Sequence, residues 1–181
     1  MSLVVCPEIH AAKAGHDVFA DGGNAIDAAL CAAFVQGVTN HLLCGIGGTI
    51  SIYVYQAGVR KDVYLNAEET MGSGTVPPDW ASELLPGRAE ASGRYRLRSR
   101  ANDVGYQAAM VPGFVRGCWR AHELFGSGRV SWARVLAPAI RLAADGFDVP
   151  PYSAAFWRDF FRQEERSRVE AGTVPRWDIS S

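Results

Sequence analysis

The fold is decided by the stretch from Asp21 to Val38, which reads DGGNAIDAALCAAFVQGV. Its paired glycines, Gly22 and Gly23, can end a preceding helix, because glycine adopts the left-handed backbone conformation at low cost. Asn24 has the side chain of a helix N-cap. The predicted helix over residues 25–38 is apolar nearly all round, so we expect it to be buried against other elements.

The segments on either side of this stretch alternate between extended and helical patterns. Residues 2–6 are apolar and partly β-branched, which predicts a strand, and Glu8–Ala20 is predicted to form a helix. After the stretch, apolar and polar residues alternate along Thr49–Tyr55, which predicts a half-buried strand. A turn at Gln56-Ala57-Gly58 and a second strand at Arg60–Asn66 would complete an antiparallel pair.

The second half of the chain is predicted to return to helices after a long connection. Residues 77–103 lose periodicity and are rich in proline and glycine, with at most one helical turn near residues 79–85. The later elements are expected to be a β-like segment at 105–111, helices at 114–125 and 132–146, the second capped by Ser131, and a poorly defined tail at 152–181 that begins as a helix. This order predicts a mixed α/β fold, with helices packed on a largely antiparallel sheet.

Length and charge exclude several classes of protein. The 181 residues predict a single domain, and 18 Lys plus Arg against 19 Asp plus Glu leave a net charge of −1, too balanced for a general nucleic-acid binder. The apolar run at 25–38 contains Asp27 and Gln36, so we expect no membrane span. The first residues lack the basic and apolar regions of a secretory signal, which predicts a cytoplasmic location unless an upstream segment is missing.

The sequence predicts neither a cofactor nor a metal. Its cysteines are Cys6, Cys31, Cys44 and Cys118. They form no Cys-x-x-Cys pair and have apolar neighbours, which favours reduced thiols over disulfides or a zinc site. The histidines show no metal-binding spacing. The glycines Gly45, Gly47 and Gly48 precede a predicted strand, whereas a phosphate-binding loop would precede a helix.

Thr49 raises one catalytic possibility. It follows Gly48 and begins an apolar strand, as does the threonine that a self-cleaving N-terminal-nucleophile hydrolase exposes as its nucleophile. The alternative is an ordinary β-branched strand residue. We expect the strand role, because no oxyanion donors or orienting groups can be assigned downstream.

An alternating run of arginines lies in the long connection. Its members are Arg94, Arg96, Arg98 and Arg100. On a strand these side chains would share one face, which suits contact with an anion or a nucleic acid. The alternative is a solvated hairpin or a charged edge strand, and we expect this one because a single short run carries the signal.

Four segments, in order, resemble the γ-glutamyltranspeptidase family. They are Asp21–Ala29 (DGGNAIDAA), Cys44–Gly48 (CGIGG), Val111–Val115 (VPGFV) and Ser131–Phe147 (SWARVLAPAIRLAADGF). The resemblance implies a partial N-terminal-nucleophile-hydrolase fold, an αββα sandwich of two sheets between helical layers. It also implies that residues 1–181 are one incomplete domain, the amino-terminal part of a large subunit.

The resemblance implies acyl transfer by a second polypeptide segment. In this family the precursor cuts itself, and the new N-terminal threonine of the small subunit attacks a γ-glutamyl amide and passes the acyl group to water or an amine. No segment after Arg176 resembles the start of that small subunit. We therefore expect no catalytic residue in this chain, no activity of the chain alone, and two partners: the small-subunit segment and a small-molecule amide substrate.

One departure from the family concerns the substrate. The family commonly carries an arginine in an "Arg-Glu-x-Ala-Pro" segment that pairs with the substrate α-carboxylate. The matching run here is Leu65–Met71, which puts Glu68 at the arginine position, followed by Glu69. We expect both glutamates to bind substrate, with Gly45, Gly47 and Gly48 shaping the pocket wall.

The exchange of arginine for glutamate reverses the local charge. A carboxylate repels a substrate carboxylate, so glutathione-like substrates are not favoured, and a cationic or neutral amide fits better. The alternative is that Glu68 is solvated and a nearby arginine takes over its role. A function of another class, a non-catalytic binding or scaffold remnant of the fold, is also compatible with the sequence. In either case uncovered strand edges and apolar faces would favour homo-oligomers or aggregation.

Overall fold

The computed structural model of the chain describes residues 2–74, 80–88, 95–102 and 106–170, with side chains through Arg162. Its helices are α1 (Ile9–Ala20), α2 (Ala25–Thr39), α3 (Phe114–Phe125), α4 (Trp132–Asp145) and α5 (Pro151–Glu170). Its strands are β1 (Ile50–Gln56), β2 (Lys61–Ala67), β3 (Leu84–Arg88) and β4 (Tyr95–Leu97). The chain divides into two compact units, one from residues 1–45 and 127–181 and one from residues 46–126. The assignment of residues 1–181 to one incomplete domain stays a prediction.

The first unit is built around α2. Asn24 accepts hydrogen bonds from the backbone N–H groups of Ile26 and Asp27, and the Asp27 side chain accepts the N–H of Asn24, which completes a capping box. Gly22 has a φ of +80°, and a Cβ on Gly23 would collide with Val18. The predicted glycine turn and N-cap are therefore confirmed.

The core of the first unit lies between α2 and its neighbours α1 and α4. Phe34 of α2 and Trp132 of α4 meet edge to face, with ring centroids 5.4 Å apart. Ser131 caps α4 by accepting the backbone N–H of Arg134 at 3.2 Å, as predicted. The buried apolar side chains include Ala11, Val18, Ala28, Leu30, Cys31, Phe34, Val35, Val135 and Ala139. The expected burial of α2 is therefore confirmed for the faces towards α1 and α4, whereas Ala25 and Ala29 are exposed.

The second unit contains the predicted hairpin. β1 and β2 pair antiparallel, with Ile50 opposite Ala67 and Tyr53 opposite Tyr64. The face of the hairpin that carries Ile50 packs on α3, which begins after Gly113 as predicted. The opposite face is exposed and carries tyrosine, serine and aspartate side chains.

The long connection at residues 77–103 contains an antiparallel pair that the lack of periodicity did not reveal. Residues Leu84–Arg88 pair with Tyr95–Leu97, with an irregularity in the register where Gly87 adopts a φ of +79°. Of the arginine run, Arg96 lies on β4, whereas Arg98 and Arg100 lie beyond the end of that strand. This arrangement favours the hairpin alternative. Arg94 and residues 77–79, 89–93 and 103 lie outside the described residues.

Two other expectations differ from the structure. Residues 2–6 form no strand, because no neighbouring strand pairs with them in the described part of the chain, and Leu3 and Val5 are exposed. Residues 106–108 form a short 3-10 helix where the β-like segment was expected, Val111 makes a β-bridge with Thr70, and residue 105 lies outside the described residues. The helical start expected for the tail is present, since α5 spans Pro151–Glu170, and residues 171–181 lie outside the described part.

Candidate functional site

Glu68 stands immediately after the last residue of β2 and is exposed. Its backbone N–H donates to the Asn66 Oδ1 at 2.9 Å, which fixes the backbone at this point. Its Oε1 accepts the Ser51 hydroxyl at 3.4 Å, and Ser51 in turn accepts the Tyr64 hydroxyl at 2.8 Å. The sequence-predicted site residue is therefore part of a chain of side-chain contacts on the hairpin.

Glu68 also lines a cleft of about 280 Å³ in the second unit. The cleft lies between the end of β2 and the first turns of α3, and its floor includes the backbone bridge between Thr70 and Val111. Its charged lining residues are Glu68, Arg116 and Arg120. The cleft lies just below the lower end of the usual volume range of small-molecule sites, ~300 Å³, and carries charges of both signs.

Two glycines let α3 approach the hairpin closely enough to form this cleft. A Cβ on Gly113 would overlap the carbonyl oxygen of Ala67, and one on Gly117 would overlap the Ala67 side chain and lie 2.8 Å from the Ile50 Cγ2. Only glycine fits at these contacts. Gly113, in the VPGFV segment, and Gly117 thus hold the arginines of α3 beside the end of β2.

A single oxygen joins two of the segments that resemble the family. The carbonyl oxygen of Gly48 accepts the backbone N–H groups of Gly113 at 3.2 Å and of Phe114 at 3.0 Å. These two N–H groups belong to the start of α3, where the intrahelical partners are missing. Gly48 is therefore tied to Gly113, which lines the cleft.

The glutamate and the arginines that line the cleft do not form ion pairs with one another. Within the described residues, Arg120 pairs with Glu123 at 3.4 Å on the surface of α3, and neither arginine forms an ion pair with Glu68. Exposed pairs such as Arg120–Glu123 contribute little stability. The Glu68 carboxylate and the Arg116 guanidinium are therefore both accessible to a ligand.

The other sequence-predicted site residues lie near Glu68 in the chain. Glu69 is exposed and is not among the residues that line the cleft. Gly47 is exposed and directly precedes Gly48 in the second unit. Gly45 is the last residue of the amino-terminal segment of the first unit. Thr49 is exposed, and its Oγ1 donates to the carbonyl oxygen of Ala67 at 3.5 Å. Thr49 thus has a contact suited to a residue at the edge of the hairpin.

The cysteines differ in burial. All four are free, with Cys31 and Cys118 buried and Cys6 and Cys44 half-buried. Burial raises the pKa of the Cys118 thiol to about 12. Burial also raises the pKa of the Cys31 thiol to about 11, an effect that the charge of Arg134 partly opposes. Among the residues whose side chains are described, no group of three or more His, Cys, Asp or Glu is placed to hold a metal ion.

Four residues around the site were not found from the sequence: Ser51, Tyr64, Arg116 and Arg120. The alternation of β1 and β2 contains the signal for Ser51 and Tyr64, since both occupy the polar face of the predicted hairpin. The arginines have i, i+4 spacing on the predicted helix, which places them on one face. What the sequence did not contain was the position of that face beside Glu68.

Comparison with known proteins places the chain in a family. The family model described as gamma-glutamyltranspeptidase matches residues 11–174. The chain belongs to the γ-glutamyltranspeptidase family. It is 36% identical over 148 residues to a glutathione hydrolase proenzyme of Pseudomonas aeruginosa, a match that covers 81% of this chain and 24% of that protein. It is also 36% identical over 152 residues to an acylase ACY 1 proenzyme of a Pseudomonas species, covering 83% of this chain and 26% of that protein.

Solved structures agree with this assignment. The gamma-glutamyltranspeptidase of Pseudomonas nitroreducens, complexed with L-DON, superposes with a TM-score of 0.73 at 30% identity, over 90% of this chain and 44% of that one. The cephalosporin acylase of Bacillus halodurans gives a TM-score of 0.65 at 28% identity, over 93% of this chain and 27% of that one. The predicted family and the mixed α/β, N-terminal-nucleophile-hydrolase fold class are confirmed.

The matches also show how much of the length of its relatives the chain covers. It spans about a quarter of the length of the curated relatives it matches. In the described part of the chain, none of the helices combines the length and the apolar character needed to cross a membrane.

Proposed function

We propose that the chain is the amino-terminal part of the large subunit of a γ-glutamyltranspeptidase-like amidohydrolase or acyltransferase. It would supply substrate-binding groups, and a small-subunit segment would supply the threonine nucleophile, so the chain alone is inactive. The observation that supports this division is the cleft beside Glu68, which contains charged groups for holding a ligand at the position where the family resemblance expects the substrate.

The residues near the cleft support a binding role more than a catalytic one. Acyl transfer needs a nucleophile, a base and oxyanion donors in one cavity. The Thr49 hydroxyl, the one nucleophile that the sequence suggested, donates to the backbone carbonyl of Ala67. A hydroxyl hydrogen-bonded to a carbonyl is not activated for attack, because a carbonyl oxygen is too weak a base to accept its proton.

The substrate we propose is a small amide with a cationic or neutral group near Glu68. At a few ångströms an exposed carboxylate attracts an ammonium group by about 1 kcal/mol and repels a carboxylate by a similar amount. The chain is equally similar to an acylase proenzyme and to a glutathione hydrolase proenzyme, so the charge at Glu68, and not the relatives, carries this choice of substrate. Glu69 would contribute to the negative potential from outside the cleft, and the turn at Gly45, Gly47 and Gly48 would form the neighbouring wall.

A specific observation favours a second kind of substrate. Arg116 and Arg120 line the same cleft as Glu68. Either guanidinium can bind a carboxylate in two-point fashion. In this alternative an arginine of α3 takes over the carboxylate contact, and a γ-glutamyl amide remains a substrate.

Restoring the second segment tests the proposal. The chain would be co-produced with the downstream part of the Pseudomonas aeruginosa relative, and the purified complex assayed against a panel of cationic, neutral and anionic amides. We expect hydrolysis by the complex, none by either part alone, and a preference for cationic or neutral amides. Preference for the anionic amides would select the arginine alternative.

Two outcomes would contradict the proposal. A well-formed complex that turns over no amide would favour a non-catalytic scaffold. Turnover by the isolated chain together with covalent labelling of Thr49 would show that the nucleophile lies within these residues. Sedimentation of the isolated chain would test the predicted self-association separately.

A further inference from the structure

We propose that Tyr64 and Ser51 are positioning residues, which hold the Glu68 carboxylate in one orientation and thereby favour ligands that carry an ammonium group. The proposal rests on the proposed function in placing Glu68 at the substrate. It goes further in assigning roles to two side chains outside the cleft lining and in selecting the cationic ligand over the neutral one.

The three side chains lie on one face of the β1–β2 hairpin. Side chains alternate between the two faces of a strand, so Ser51 on β1 shares the exposed face with its cross-strand partner Asn66 and with Tyr64 on β2. Glu68 follows two residues after Asn66 and continues that face beyond the end of the strand. The register of the hairpin therefore brings the two hydroxyl groups to the carboxylate.

The hydrogen bonds that join Tyr64, Ser51 and Glu68 can have only one arrangement of donors and acceptors. An ionised carboxylate only accepts, so Ser51 must donate its proton to the Glu68 Oε1, at 3.4 Å. The Ser51 oxygen then accepts the proton of Tyr64, at 2.8 Å. Donation by Tyr64 keeps the Ser51 proton turned towards Glu68 and increases its polarity. The Ser51 contact is the longer and weaker of the two, so its strength depends on the support of Tyr64.

Glu68 is consequently restrained at both ends. Its backbone N–H is held by Asn66 and its carboxylate by Ser51. An exposed glutamate without such contacts exchanges among several rotamers, and a ligand must then order it on binding. The two hydroxyl groups reduce that ordering cost for a cationic ligand.

Tyr53 provides a matched control. It lies directly opposite Tyr64 on the same face, and its exposure of 66% is close to the 60% of Tyr64. Its hydroxyl, however, donates to Asp62 and not to Ser51. Tyr53→Phe therefore removes an equivalent hydroxyl from the same surface without touching the contacts to Glu68.

The first experiment measures the rotamers of Glu68 by NMR three-bond couplings in the isolated chain. We expect couplings typical of one main rotamer in the native chain and in Tyr53→Phe. Tyr64→Phe and Ser51→Ala should give averaged couplings, and Ser51→Thr, which keeps a hydroxyl, should restore the native values. Unchanged couplings in both Tyr64→Phe and Ser51→Ala, or an equal change in Tyr53→Phe, would overturn the positioning role.

The second experiment measures binding of γ-aminobutyramide, an amide with an ammonium group, and of succinamate, an amide of similar size with a carboxylate. The native chain should bind the cation more tightly, and Tyr64→Phe and Ser51→Ala should weaken that binding about two- to tenfold, the range for loss of one hydrogen bond. Tyr53→Phe should leave it unchanged. If the native chain binds neither probe or prefers succinamate, the Glu68 pocket of the proposed function and the ligand charge named here are wrong, whereas the couplings still decide the positioning role.

Discussion

Asp27 accepts the backbone N–H of Ser127 at 3.0 Å, across a separation of 100 positions in the sequence. The same carboxylate oxygen accepts the N–H of Asn24 at 3.0 Å, at the start of α2. Asp27 is fully buried, so water does not compete for these contacts. One carboxylate thereby fixes both the entry into α2 and the chain that leads into α4.

Replacing this carboxylate should destabilise the first unit. Asp27→Asn keeps the shape but removes the charge that strengthens both hydrogen bonds, and we expect a loss of about 2–4 kcal/mol in the free energy of unfolding. Urea unfolding followed by circular dichroism measures the change. Asp17→Asn, an exposed carboxylate on α1, is the control and should change stability by less than about 0.5 kcal/mol. Equal stability of the two variants would contradict the role given to Asp27.

Two helical glycines should respond to alanine in opposite directions. In an open helix, glycine to alanine stabilises by up to about 1 kcal/mol. At Gly37 of α2 an added Cβ has its nearest neighbour at 3.7 Å, an ordinary contact, so Gly37→Ala should be neutral or stabilising. At Gly117 the Cβ would collide with Ala67, so Gly117→Ala should destabilise by about 1–3 kcal/mol. Thermal unfolding of both variants measures these changes in stability. Stabilisation by Gly117→Ala would show that α3 does not pack this closely on Ala67.

Thiol reactivity should separate the cysteines into two pairs. Burial raises the pKa of Cys31 to about 11 and that of Cys118 to about 12, so both remain protonated at pH 8. Because the thiolate is the reactive form, a disulfide reagent should modify Cys6 and Cys44 first and the other two only after unfolding. Peptide mapping after timed labelling identifies the sites. Early modification of Cys118 in the folded chain would contradict its burial.

The same pKa shifts predict a loss of stability at high pH. An unfolded thiol titrates near pH 9, whereas the folded Cys118 holds its proton to about pH 12. The stabilisation is therefore complete below pH 9 and declines as the pH rises above it, by about 1 kcal/mol per thiol between pH 8 and pH 10. Urea unfolding at both pH values gives the decline, which should be smaller in Cys118→Ala. An identical decline in the variant would assign it to other groups.

Residue 68 should control the charge of the preferred substrate. In the complemented complex, Glu68→Arg changes the local charge by two units and should shift the ratio of kcat/KM for anionic over cationic amides upward by about tenfold or more. Glu68→Gln, which only neutralises the charge, should give an intermediate ratio. A ratio that is the same in all three proteins would place the substrate away from Glu68.

Local signals made the helices of this chain predictable. Asn24 and Ser131 cap groups two or three residues away, so the cap and its partner occur together in the sequence. The Asp27–Ser127 contact has no such local signature, because its partners meet only after the intervening chain has folded. The strand expected at residues 2–6 fails for a related reason, since a strand needs a partner and β-branched composition alone does not provide one.

The candidate site was predictable in part. The resemblance singled out Glu68, and the alternation of the hairpin contained the positions of Ser51 and Tyr64. The approach of Arg116 to Glu68 depends on Gly113 meeting both Gly48 and Ala67, contacts between segments far apart in the sequence. Such contacts are set by packing and not by any periodic pattern.

The paired backbone hydrogen bonds between Thr70 and Val111, at 2.8 and 3.2 Å, bring the two ends of residues 71–110 side by side. Segments with adjacent ends tolerate exchange, because the entropy of closing a loop grows only slowly with its length. The chain between Thr70 and Val111 can therefore differ in length while it still leaves and re-enters the second unit at the same two residues. Natural insertions at the same junction would likewise diversify what surrounds the cleft while its walls stay in place.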